Sequence, residues 1–141
     1  MAAGGPTQSG TRRRVGADVD APLVLLVDDV EDDRDMYAEY FEGAGFRVAQ
    51  AVDGDHAIFK ILSFMPAVVV MDLAMPVLDG LQATREIKAH PRTKNILVII
   101  LTGRVTEEVA REAEIAGADL VLTKPCTPDA LLIAVRSVLG R

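Results

Sequence analysis

Residues 68–80 read VVVMDLAMPVLDG, four apolar residues running straight into a carboxylate, followed by Met-Pro, a second Asp and a Gly. A continuous apolar run of this length suits a strand covered on both faces, and such strands occur in parallel sheets. A charge held against a core is costly without a partner. Asp72 at the end of this strand therefore asks what cation makes it tolerable.

Working outward, four more apolar runs appear: Leu23 to Val27, Phe46 to Val52, Ile96 to Leu101 and Leu120 to Leu122, with Ala67 to Met71 holding the quoted strand. Segments of helical length lie between them. In the first, Met36, Tyr40 and Ala44 are expected to line one side, with Gly43 and Gly45 marking the end. Asp32 and Asp33 are expected to cap it and to favour its positive end. The last carries Leu131, Leu132, Val135, Val138 and Leu139 at helical spacing, with Thr127 as N-cap and Pro128 in the first position. Strand then helix, five times, predicts an α/β sandwich around a parallel sheet, because parallel neighbours need crossover helices.

Composition bounds the function. The chain has 141 residues, 50% hydrophobic and 26% charged, with formal net charge -6. This is one globular domain, expected over residues 22–141 behind a flexible arm of residues 1–21. The only basic cluster, Arg12 to Arg14, lies in that arm, so no cationic face for nucleic acid is visible. No apolar run approaches the roughly 18 residues of a membrane span. The single Cys126 asks for no oxidising compartment, and the expected location is the cytoplasm.

Sites in parallel sheets lie beyond the carboxyl ends of the strands. There stand Asp28 and Asp29, Asp72, Thr102 with Gly103, and Lys124 with Pro125. Two carboxylates about 5 Å apart repel by roughly 3 kcal/mol at an effective dielectric of about 20. Lys124 brings one charge, too little for three acids. A divalent ion that prefers hard oxygen ligands completes the balance, and Mg²⁺ does so while keeping places for water or phosphate. Asp79-Gly80 reads as a turn and cap opening the third helix. His56 and His90 read as surface residues without metal-ligand spacing.

This set, in this order over residues 23 to 139, resembles the receiver domain of bacterial two-component response regulators. The resemblance implies a doubly wound, flavodoxin-like three-layer sandwich with five parallel strands in order 2-1-3-4-5. It implies that Asp72 accepts a phosphoryl group from a histidine kinase or a histidine phosphotransfer protein. It also implies that Asp29, Asp72 and the main-chain carbonyl of Ala74 hold Mg²⁺, with Asp28 acting mainly through a water. Thr102 and Lys124 would contact the phosphoryl oxygens, and the Lys124-Pro125 bond would be cis. The expected behaviour is a self-phosphorylating and self-dephosphorylating switch of partner binding, without separate substrate turnover. It would act on a downstream protein, with a homodimer possible, and without nucleic acid or membrane. Since the chain ends at Arg141, after the fifth helix, a stand-alone regulator is expected.

Two departures stand out. Receivers usually carry Phe or Tyr three residues before the active-site lysine, where this chain has Val121, and every aromatic lies at or before Phe64. Cys126 replaces a Phe that commonly follows Lys-Pro. A haloacid-dehalogenase-type phosphatase would need an acid two residues past its nucleophile, where Ala74 stands. A non-phosphorylated module would be marked by loss of an acid or the lysine, and none is lost. Nucleotide binding lacks a Gly-rich loop after the first strand.

Overall fold

The computed structural model describes residues 20–74 and 79–140. The strands are β1 (Leu23–Val27), β2 (Arg47–Ala51), β3 (Val68–Asp72), β4 (Leu97–Thr102) and β5 (Leu120–Thr123). The helices are α1 (Glu31–Gly43), α2 (Gly54–Phe64), α3 (Gly80–Ala89), α4 (Glu107–Ala116) and α5 (Pro128–Leu139). All pairings are parallel and the sheet order is β2-β1-β3-β4-β5, as expected. The arm lies outside the described residues except for Asp20 and Ala21; the Ala21 carbonyl accepts a hydrogen bond from Arg47 Nε at 2.8 Å. Residues 75–78 of the quoted stretch also lie outside them.

The run-on apolar strands follow from two-sided burial. Alternate side chains of a strand face opposite ways. Val24 and Leu26 of β1, with Val68 and Val70 of β3, pack under α1 and α5 against Tyr37, Phe41, Leu131 and Val135. Leu25 and Val27, with Val69 and Met71, pack under α2, α3 and α4 against Ile61, Ala83, Ile87 and Ala113. Every residue of β3 is buried, because it has a paired strand on each edge and helices on both faces. Fully burying one such side chain contributes about 2 kcal/mol.

Several helix ends match their expected chemistry. Thr127 caps α5 by accepting from Ala130 N at 3.1 Å, and Pro128 opens the helix. Asp79 accepts from Gln82 N at 2.9 Å in a capping box at the start of α3. His90 is exposed, whereas His56 is half-buried and its Nδ1 accepts from Val52 N at 3.2 Å.

In the first helix the side lined by Met36, Tyr40 and Ala44 is not the buried face, and the expected cap differs. Met36 and Tyr40 are 44% and 40% exposed, and Ala44 is the C-cap; the buried residues are Tyr37, Ala38 and Phe41. Apolar residues at 36, 37, 38, 40 and 41 outline more than one face, and only the sheet below selects among them. Nor do Asp32 and Asp33 cap the helix. The N-cap is Val30, without a side-chain cap bond, and both acids lie inside the first turn, where they complement the helix dipole.

Among the described residues no helix is long and apolar enough to cross a membrane.

Candidate functional site

The chain order reverses beside β1: β1 pairs with β2 on one edge and with β3 on the other. At that switch point, where parallel sheets open a crevice, β1 delivers Asp28 and Asp29 and β3 delivers Asp72. Asp28 and Asp72 are 5% and 7% exposed, while Asp29 is exposed. Each of the three offers a carboxylate oxygen within 4.8 Å of the others.

Among the described residues one cation pairs with them. Lys124, one residue past β5, places Nζ 3.5 Å from Asp72 Oδ1 and 3.6 Å from Asp28 Oδ2. Its amide donates to the Thr102 carbonyl at 2.7 Å, which ties the lysine to the end of β4. The Lys124-Pro125 bond is cis, as the resemblance implied. Thr102 is 6% exposed, and its hydroxyl lies 3.3 Å from both the amide and the carbonyl of Arg104. The Ala74 amide donates to Asp72 Oδ1 at 3.3 Å.

Titration reflects the imbalance. Burial pushes the Asp72 carboxyl up; Lys124 pulls it down, Asp28 pushes it up again, and the net direction is upward. Burial works against the Lys124 ammonium, but Asp72 and then Asp28 outweigh it and hold the lysine above its usual range. One ammonium shared between two buried acids, with Asp29 beside them, leaves the rim short of positive charge. Three oxygen donors, two of them buried, suit a hard cation that binds through few carboxylates and retains water, as Mg²⁺ does.

The six residues expected at the site from the strand ends and the resemblance thus come to one rim: Asp28, Asp29, Asp72, Ala74, Thr102 and Lys124. Three contributors went unread. Gly80, expected only as a turn, is packed so closely that a Cβ there would lie 2.6 Å from the Asp72 carbonyl oxygen. Arg34 donates to the Asp28 carbonyl at 2.8 Å. Tyr37 donates to the Cys126 carbonyl at 2.6 Å, pinning the loop just beyond Lys124. No local pattern marks such contacts, since their partners lie 8, 6 and 89 residues away or lack side-chain chemistry.

Burial, then the neighbouring Cys126, Asp33 and Asp28, push the Tyr37 phenol up to about 12, so it donates at any physiological pH. Tyr37→Phe should cost about 1 kcal/mol, the net value of one hydrogen bond. Thermal melting checks this, and an unchanged Tm would show that the bond carries no weight.

Comparison with known proteins decides the family. The profile of the response regulator receiver domain matches residues 24–136. The chain belongs to this family.

The receiver is 37% identical over 120 residues to the chemotaxis protein CheY of Halobacterium salinarum, covering 84% of this chain and 98% of that protein. It is 32% identical over 122 residues to the DNA-binding dual master transcriptional regulator RpaA of Synechocystis, covering 85% of this chain and 50% of RpaA. The receiver thus spans about half the length of that relative. Among solved structures, the chemotaxis response regulator CheY4 of Vibrio cholerae superposes with a TM-score of 0.80 at 30% identity, over 84% of this chain and 98% of CheY4. Two-component signalling, the receiver's setting, is therefore where this rim has to be interpreted.

Proposed function

We propose that this receiver accepts a phosphoryl group on Asp72 from a histidine kinase or a histidine phosphotransfer protein, with Mg²⁺ at the acidic rim, and so switches the binding of a downstream protein. The observation that carries this reading is the convergence of Asp28, Asp29 and Asp72 within 4.8 Å, with Lys124 reaching two of them. Asp29, Asp72 and Ala74 are the proposed ligands of the metal, and Asp28 acts through a bound water.

The roles follow from charge and position. An Asp72 carboxylate oxygen attacks phosphorus, the bond from phosphorus to the donor's imidazole nitrogen breaks, and that nitrogen keeps the electron pair. Phosphoryl transfer asks the protein mainly for alignment and for neutralisation of the phosphoryl oxygens. Bound Mg²⁺ supplies Lewis acidity toward those oxygens. Lys124 shares the neutralisation, and the Thr102 hydroxyl leaves Arg104 to donate to the new phosphate. That exchange moves the loop after β4, giving two arrangements of one element.

The test is incubation of the whole chain with acetyl phosphate, read by intact mass and by the site of labelling. One phosphoryl group on Asp72 is expected with Mg²⁺, and none in excess EDTA. Labelling that survives EDTA, or that falls on another residue, overturns the reading.

The 98% coverage of CheY supports a switch that works through partner binding. RpaA is described as DNA-binding, but only half of its length is matched, and the net charge of -6 supports no nucleic-acid contact by this domain. A cytoplasmic location belongs to the same reading, and a second copy of the chain is an allowed partner. A self-limiting switch without turnover of a separate substrate is part of the same reading, supported by Ala74 standing where an aspartate-nucleophile phosphatase would carry its general acid.

The readout should be muted. Val121 on β5 is half-buried against the α2–α4 side of the core, where receivers usually place a ring. With no aromatic after Phe64, no neighbouring ring can take its place. Amide exchange over residues 103 to 123, with and without a beryllofluoride phosphate mimic, should change less than in aromatic-bearing receivers. An equal change would remove Val121 from consideration.

A further inference from the structure

Asp28 is held at every polar atom. Its amide donates to the Ala51 carbonyl at 3.2 Å, Oδ1 accepts from Val30 N at 2.9 Å, and Oδ2 faces Lys124. Its carbonyl accepts from Arg34 Nη1 at 2.8 Å, and Arg34 Nε in turn donates to Gln50 Oε1 on β2 at 3.0 Å. Asp29 is different. It is exposed, and among the described residues no hydrogen bond or ion pair fixes its carboxylate, which nevertheless lies with those of Asp28 and Asp72. Its direction is set by its backbone, beginning with the peptide unit whose carbonyl Arg34 grips.

We infer that Arg34, braced by Gln50, is a positioning residue that aims Asp29 into the cation site. This rests on the proposed Mg²⁺ role of the rim. A planar guanidinium can hold two acceptors in fixed directions, here one on the β1–α1 connection and one on β2. Groups behind the ligands commonly set metal affinity in this way.

Simple electrostatics makes the opposite forecast. Deleting a positive charge that sits on the Asp28 main chain, close behind the acidic rim, should tighten a divalent cation. Positioning demands that it weaken. The sign of the change separates the two.

The experiment is calorimetric titration of the full chain with Mg²⁺ for wild type, Arg34→Ala and Arg34→Lys, with the Tm of each in EDTA as the folding control. Both variants should show a dissociation constant raised about tenfold, because lysine keeps the charge but cannot hold both acceptors. An unchanged or tighter constant in Arg34→Ala, even with a lowered Tm, makes the residue merely structural and overturns the inference. Should Arg34→Ala fail to fold, Gln50→Leu keeps the guanidinium and unhooks it. Weaker Mg²⁺ is expected there too, and an unchanged constant overturns the inference. A wild type that binds no Mg²⁺ would instead strike the proposed function itself.

Discussion

Asp72→Asn is expected to abolish acetyl-phosphate labelling and, in metal-free buffer, to make the protein more stable. Labelling at position 72 should fall at least about a hundredfold below wild type, because an amide is not a nucleophile at neutral pH. The gain comes from the imbalance at the rim. Burial, and then the Asp28 charge set against Lys124, leave the Asp72 pKa above its ordinary value of 3.8. A carboxyl whose folded pKa is raised contributes stability while it is protonated, below its unfolded pKa. That contribution is lost as pH rises through the folded value. Wild type should therefore fall behind Asp72→Asn progressively as pH rises from about 4 toward neutrality. Mg²⁺ should close or reverse the gap, since it binds the folded wild type through Asp72. Urea titrations at several pH values, in EDTA and in Mg²⁺, read both effects. A wild type that matches the variant in EDTA at neutral pH would show that Lys124 alone suffices for the acids.

Gly80→Ala should destabilise by about 2 kcal/mol and reduce phosphorylation of Asp72. Helix propensity alone forecasts a gain of up to about 1 kcal/mol for alanine within a helix. Packing forecasts the reverse. The new Cβ would lie 2.6 Å from the Asp72 carbonyl oxygen and 3.0 Å from Leu73 Cα, and both are backbone atoms that cannot swing aside. Overpacking of this kind costs about 1–3 kcal/mol. Relief requires α3 or the end of β3 to shift, and the Gly80 amide also donates to the Leu73 carbonyl at 3.0 Å. The nucleophile sits on the strand end that would move. Gly43→Ala is the control: it meets nothing within 4 Å, and should be neutral or slightly stabilising. Urea midpoints decide, and a stable, fully labelled Gly80→Ala would disprove the contact.

The alternation of strands and helices and the acidic rim were legible because each depends on short-range signals, whereas the strand order came from the family resemblance alone. Buried strands must be apolar throughout, and polar residues interrupt that pattern only where a strand ends. In a parallel sheet the ends before the helices share one rim, so Asp28, Asp72, Thr102 and Lys124 could be placed together without coordinates. The Asp79 and Thr127 caps were readable for the same reason, since a cap bonds to an amide three residues away.

The buried face of α1 was not legible. Its apolar residues form a broad patch, and its orientation is chosen by the sheet beneath and by the bond from Tyr37 to the Cys126 carbonyl. Arg34 and Gly80 escaped notice because each acts on main-chain atoms, which every residue has, so no residue type marks the partner. From its order of residues alone, the protein determined which side chains would be strand ends, and hence that three carboxylates and one ammonium would meet. Only the tertiary structure decided how closely they approach, which backbone carbonyls hold them in aim, and how much of their charge stays uncompensated, because distance and burial belong to the packed chain.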